Sequence, residues 1–369
     1  MRVVIVGGGV LGTMHAWQAL NRGHDVVHLE READARGASV RNFGLIWVGG
    51  RAEGAELSTA LRARELWEKL AADVPDLGFR ACGSLTVART EVELAIAARA
   101  AELPSAPVRG FELLSPADVR RRNPALAGEF AGALWCGRDG AVEPRTAQRA
   151  LRAHLSTRTS YRWLPGREVR TADTGAVRDD HGETHPADVV IVCTGAQLGG
   201  LARELAPDLP VRRVRLQMMQ TEPLDTELPT AVADGDSFRY YPAYDGAELN
   251  RRQPQATVAR EHGMQLLMVQ RRDGGLTIGD THAYREPFDF DVDETPYRHL
   301  ASVAEALLGR ALPPVRRRWA GVYAQTLDPT RVVHREPVAD RVWLVTGPGG
   351  RGMTCSPAIA ETTMAEAGL

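Results

Sequence analysis

Apolar positions along the chain fall into two textures. The first run, Val3-Val-Ile-Val6, is interrupted by no polar residue, so it reads as a strand covered on both faces. It runs into Gly7-Gly-Gly-Val-Leu-Gly12, after which apolar residues recur at helical spacing from about Leu11 to Arg22, and a second strand follows at Asp25-Val-Val-His-Leu-Glu30. Two more runs of the same kind lie far downstream: Ala187 to Gly195, and Asp340 onward into the loop Gly347–Gly352, with a helix from about Ser356 to Ala367. Glu168–Thr171 and Ala176–Arg178 predict a small β-meander. The intervening chain differs. Leu85–Ala88, Val214–Gln220, Ser237–Pro242, Gln265–Gln270 and Leu276–Gly279 predict short strands of an antiparallel or mixed sheet. Leu57–Leu70, Glu91–Glu102, Pro116–Arg122 and Pro296–Leu308 predict helices, and the polar stretch Arg251–His262 reads as a mobile loop.

The glycine units carry the first chemistry. In Gly7-x-Gly9-x-x-Gly12, Gly7 permits a sharp turn off the strand, Gly9 admits a diphosphate to the backbone, and Gly12 lets the helix lie close to the sheet. Val10 and Leu11 open that helix, whose free amides and positive dipole end suit an anion. Glu30 ends the second strand where a carboxylate accepts hydrogen bonds from a ribose 2′-hydroxyl. Three such units more than a hundred residues apart serve one ligand only by converging on one sheet. The expected fold is therefore α/β, a discontinuous Rossmann-like domain (1–79, 141–212, 325–369) with an α+β substrate domain on a mixed or antiparallel sheet (80–140, 213–324).

Composition narrows the function classes. At 369 residues the length favours two domains, and a net charge of −2 argues against a nucleic-acid footprint. Lys69 is the one lysine and reads as a solvated position on a helix, so lysine chemistry is confined to it. Cys82, Cys136, Cys193 and Cys355 show no metal or CxxC spacing, which fits reduced, structural thiols. No run is apolar enough to span a bilayer, and the first strand begins at residue 2. The expectation is a soluble cytoplasmic protein.

Over essentially its full length the chain resembles the flavin-dependent amine oxidoreductases of the D-amino acid oxidase, glycine oxidase and sarcosine oxidase family. The likeness rests on Val3–Gly12 with Glu30, Ala38-Ser-Val-Arg-Asn-Phe-Gly44, Asp188–Gly195, and Trp319-Ala-Gly321 continued through Gly347–Thr354. Arg41–Gly44, Gly279–His282 and Gly352–Thr354 are similar to a branch associated with phosphonate breakdown. The resemblance implies FAD. Its contacts would be Gly7, Gly9, Val10, Leu11, Gly12, Glu30 and Arg31 at the first unit and Ser39, Arg41, Asn42 and Gly44 along the flavin. Val169, Thr194 and Gly195 would close the adenosine side, and Gly347, Gly349, Gly350, Arg351, Gly352, Met353 and Thr354 would meet the pyrimidine edge. Arg41-Asn-Phe-Gly44 offers no His for covalent attachment and the neighbours of Cys355 do not reproduce the attachment motif, so noncovalent FAD is expected.

In amino-acid oxidising relatives an arginine follows the Trp-Ala-Gly segment after one residue and grips the substrate carboxylate; here Tyr323 stands there. A phenol lacks the forked ionic grip. Tyr323 then serves as a single donor to a phosphonate or other oxyanion, or as a packed aromatic. Trp47, Arg51, Tyr240, Tyr241, His282, Tyr323 and Arg351 are the candidates at the junction of flavin and substrate sheet. On a strand, Tyr240 and Tyr241 would point to opposite faces, leaving one in the cavity. Arg351 and Arg51 are the candidate anion contacts, Arg351 weighed against a surface arginine pairing with a nearby acid and Arg51 against a solvated loop charge, and His282 is weighed against a structural histidine. The implied reaction is oxidation of a small amine bearing an anionic group, with 2-aminoethylphosphonate or its N-methyl derivative the specific expectation and oxygen or another molecule as electron acceptor. Glycine, sarcosine or D-amino acid oxidation is the enzymatic rival; a flavoprotein with a structural cofactor, or a tRNA-modifying module, is the rival of another class.

Overall fold

The uninterrupted valine and isoleucine runs form the centre of one sheet. In the computed structural model, which describes all 369 residues, Arg2–Val6 lies between two parallel neighbours, Val189–Val192 and Asp25–Glu30. Val189–Val192 in turn pairs in parallel with Val342–Thr346. With His334–Ala339 and Tyr161–Pro165 at the edges, this is a six-stranded sheet. The first helix, Val10–Asn21, is buried along nearly its whole length. Met14 and Trp17 pack with Trp67 of helix Ala55–Asp73 and with Ile359 and Met364 of helix Gly352–Glu366. A helix wrapped on all sides displays no polar stripe, and its polar residues Thr13, His15 and Gln18 are buried with the apolar ones.

The second sheet has eight strands and is antiparallel apart from the pair Ala231–Ala233 with Ser84–Ala88. Its longest pair, Val211–Pro223 with Val315–Thr326, sets Val214 opposite Tyr323 and Leu216 opposite Gly321. Strand alternation sends Val214, Leu216 and Met218 to one face with Phe43, Trp47 and Tyr241, and Met219 to the other, under helix Glu294–Leu308. Strands between 84 and 136 and between 211 and 326 join this sheet, and the strands of the six-stranded one lie before, between and after them. Val169–Asp173, Ala176–Asp179 and Thr184–Pro186 form a separate three-stranded meander, with Leu45–Ile46 and Gly140–Ala141 paired on their own. We propose the division 1–79, 80–140, 141–212, 213–324 and 325–369 as the domain boundaries on that ground. No helix is long and apolar enough to cross a membrane.

Two local expectations are corrected. Ser237–Tyr240 is a turn of helix, not a strand. Arg239 decides this: its guanidinium donates to Asp236 at 2.7 Å, to Asn250 at 2.7 Å and to the carbonyl of Gln253 at 2.6 Å, curling the segment around one side chain. The polar stretch Arg251–His262 is not an unstructured loop. It contains the end of helix Gly246–Arg252, capped by Asp245, and helix Thr257–Glu261, and Gln255 ties it to Asp236 and Met264.

Gly7 has φ +106°, and a Cβ there would stand 2.2 Å from the Cys193 carbonyl oxygen, so the turn between the two central strands admits only glycine. His28 braces that turn from beneath. Its Nε2 lies 3.0 Å from the Gly7 carbonyl and its Nδ1 3.0 Å from the Tyr161 hydroxyl, which fits a neutral ring donating through Nε2 and accepting through Nδ1. Burial lowers its pKa to about 3, and likewise holds His15 at about 4. Because the unfolded chain binds these protons near pH 6.5 and the folded one does not, stability falls as pH drops from about 6.5 toward 4, by roughly 1.4 kcal/mol per pH unit per group. Urea midpoints measured across that window should decline with acid, and a His28→Gln variant should show a shallower decline.

Candidate active site

A cavity of about 1030 Å³ runs between the two sheets. At one end it is lined by Gly7, Gly9, Val10, Leu11, Glu30 and Arg31; Ser39, Arg41 and Asn42 follow; Trp47, Arg51 and Gly349–Met353 form the middle. Tyr240, Tyr241, His282 and Tyr323 close the far end. Six expected cofactor contacts do not line it. Gly12 is needed for packing, since a Cβ would meet the Gly7 oxygen at 1.8 Å. Gly44 and Gly347 serve their own turns, with φ +70° and +72°. Val169 packs with Val6 and Leu29 instead of facing the cavity. Thr354 accepts a hydrogen bond from the Trp47 amide at 2.9 Å and donates to the Leu45 carbonyl at 3.3 Å, positioning Trp47. Thr194 lies between the lining residues Cys193 and Gly195 with its hydroxyl buried and unpartnered.

The donor set fits FAD. A Cβ on Gly9 would meet only Ser39 Oγ, at 3.1 Å, and on Gly195 or Gly350 it would meet nothing within 4 Å, so the backbone there faces open space of the cavity. Glu30 is fixed at its strand end by accepting from the amides of Gly8 at 2.6 Å and Glu32 at 2.9 Å. The residues that would hold the cofactor are thus Glu30 for the ribose, Gly7–Leu11 for the diphosphate, and the passages 42–51 and 349–353 for the ring system. Cys355 is fully buried outside the cavity lining and its thiol is pushed up to about 11, a packing role that agrees with noncovalent attachment.

Two buried residues that the sequence pattern does not single out hold the passage 47–51. Arg109 donates to the carbonyls of Gly49 and Arg51, both at 2.8 Å, and Asp139 accepts from the Gly49 amide at 2.9 Å and from Ser84 at 2.6 Å. On this passage Arg51 is buried, with Nε donating to the Trp47 carbonyl at 2.8 Å and Nη1 3.5 Å from Glu56. Arg351 donates to the same carboxylate at 3.0 Å and to the carbonyls of Pro348 and Arg331. Both expected anion contacts are therefore tied to one acid in the first turn of helix Ala55–Asp73. The trio keeps one net positive charge beside the ring passage, where it suits a reduced flavin bearing negative charge.

The far end is a wall of aromatic rings. Trp47 stacks on Tyr241 at 5.5 Å, Tyr240 meets Tyr241 edge-on at 5.1 Å and stacks on His282 at 4.6 Å, and His282 faces Tyr284 at 6.3 Å. Because Tyr240 closes a helical turn, both tyrosines line the cavity, against the expectation that one would. The acid in this wall, Asp280, is not among the residues expected from the sequence. It is buried, its Oδ2 lies 3.7 Å from His282 Nε2, and its Oδ1 has no partner. Burial pushes its carboxyl up. His282 Nδ1 lies 2.8 Å from the Gly263 carbonyl, fixing the ring. Trp47 Nε1, the Tyr323 hydroxyl and Gln265 Oε1 are likewise buried without partners on residues lining the cavity. At the rim, the Arg212 guanidinium lies 4.3 Å over the Tyr284 ring.

Comparison with known proteins accords with this geometry. The chain is 24% identical over 357 residues to one of the subunits of an opine oxidase from Rhizobium meliloti, covering 88% of this chain and 82% of that protein. It is 34% identical over 242 residues to a D-amino-acid oxidase of Streptomyces coelicolor, 64% of this chain and 63% of that one. The crystal structure of glycine oxidase from Geobacillus kaustophilus superposes with a TM-score of 0.78 at 21% identity, over 99% of this chain and 94% of that one. The sequence model of the DAO family, FAD dependent oxidoreductases, matches residues 2–366, and the chain belongs to that family.

Proposed function

We propose that this enzyme oxidises a small amine that carries an anionic group, with 2-aminoethylphosphonate or its N-methyl derivative as the specific substrate. The observation that carries this reading is the charge order along the aromatic wall: Asp280, with its Oδ1 free, at the inner end, then His282 and Tyr284, then Arg212 at the rim. A zwitterion has the complementary order. Asp280 receives the ammonium and takes its proton, since burial raises the carboxyl and narrows its gap to the amine. Trp47 and Tyr241 hold the carbon chain flat, and Tyr323 offers a hydroxyl. The chemistry that FAD supplies when bound is acceptance of the hydride from the α-carbon, and the imine that results adds water and separates into an aldehyde and ammonia or methylamine.

Arg212 is better placed for the anion than Arg51 or Arg351, because its Nε bond to Gln325 leaves both terminal nitrogens without a carboxylate. A phosphonate offers three oxygens to such separated donors; a carboxylate offers two and favours the arginine fork that Tyr323 replaces. Replacing Arg212 by Met should raise KM for the aminophosphonate about tenfold or more and leave an uncharged amine unaffected, since this contact is made alike in ground and transition states. Equal effects on both substrates would remove Arg212 from the site.

A further inference from the structure

A second cleft, of about 440 Å³, opens beside the cofactor cavity. It is bounded by loop 34–41, the start of helix Pro144–Leu155 and strand Val315–Thr326, and Ala35, Arg36 and Arg41 line both spaces. Six arginines face one acid, Asp34, in a chain whose net charge is only −2. Asp34 is already engaged by Arg149 at 2.7 Å and by Arg152, and Arg318 has Glu294 at 3.2 Å. Arg41 is held by neutral carbonyls, those of Arg36 at 2.8 Å and Ala320 at 2.9 Å. Arg36, Arg145 and Arg317 make no ion pair. Arg145 lies over the Trp319 ring at 4.9 Å, and the indole donates to the Arg41 carbonyl at 3.3 Å, so one tryptophan organises the arginines of three separate segments. Partial desolvation and the charges of Arg317 and Arg41 together lower the pKa of Arg145.

Gathering uncompensated guanidinia into a concave space costs free energy that an anion recovers. We propose that this cleft binds a tetrahedral oxyanion of the phosphate class, whether inorganic phosphate or the phosphoryl group of a small organic molecule. Planar forks arriving from three directions suit an ion with three or four equivalent oxygens. The inference stands apart from the amine substrate, which occupies the other cavity.

The test is isothermal titration of the FAD-loaded protein with inorganic phosphate at constant ionic strength, so that the diphosphate loop is already filled. Saturable binding at one site is expected, weakened about tenfold or more by the pair Arg145→Gln and Arg317→Gln, with flavin content and amine turnover unchanged. A parallel titration with phenyl phosphate separates the sources: tighter binding than phosphate assigns the site to an organic phosphoryl group, equal or weaker binding to the free ion. Absence of saturation, or binding undiminished in the double variant, would overturn the proposal.

Discussion

Gly9→Val protein is expected to purify folded and colourless. The backbone at Gly9 has φ −70°, open to any residue, and the only atom near a new Cβ is Ser39 Oγ at 3.1 Å. The fold accommodates the substitution by a shift of a few tenths of an ångström in the Ser39 hydroxyl; the diphosphate has no such room, because the valine methyls fill the space in front of the helix amides. Gly7 and Gly12 differ, since side chains there collide with backbone oxygens at 2.2 Å and 1.8 Å and disturb the sheet itself. The check is a native far-ultraviolet dichroism spectrum with no visible flavin absorbance. A Gly9→Val protein that retains stoichiometric FAD would refute the placement of the diphosphate.

The second large effect is expected from Asp280→Asn. The amide is isosteric and can still touch Gln265 and His282, yet it accepts no proton. A substrate amine with a pKa near that of a lysine, about 10.4, is almost wholly protonated at neutral pH. Loss of the acceptor should lower kcat/KM at pH 7 by a factor on the order of 10² to 10⁴. The variant should also recover as pH rises toward the substrate's own pKa, because the amine then arrives already neutral. A structural role for Asp280 predicts loss at every pH, and a pH-independent defect would remove it from proton handling.

What is legible in the sequence follows from where burial decides. Val3–Val6 and Val189–Val192 face neighbours on every side, so their composition alone identifies them and their glycine turns identify the ligand class. The helix at Ser237–Tyr240 is not legible, because four residues carry no period and its form is dictated by Arg239 reaching Gln253. Glu56 looks like one more charge on an amphipathic helix. Its meaning depends on Arg351, 295 positions away. Asp280 follows a glycine and reads as a strand-end turn until burial and the lone Oδ1 reveal it. The available clue is the Gly279–His282 segment itself, whose acid carries as much chemistry as its histidine.

The proposal is that the enzyme takes an aminophosphonate through this wall of charge and aromatic rings. Its most direct test is anaerobic reduction of the FAD-loaded protein, followed as loss of flavin absorbance, with N-methyl-2-aminoethylphosphonate, 2-aminoethylphosphonate, glycine, sarcosine and a D-amino acid at equal concentration. One of the phosphonates is expected to bleach the flavin fastest; faster bleaching by glycine, sarcosine or the D-amino acid would contradict the proposal.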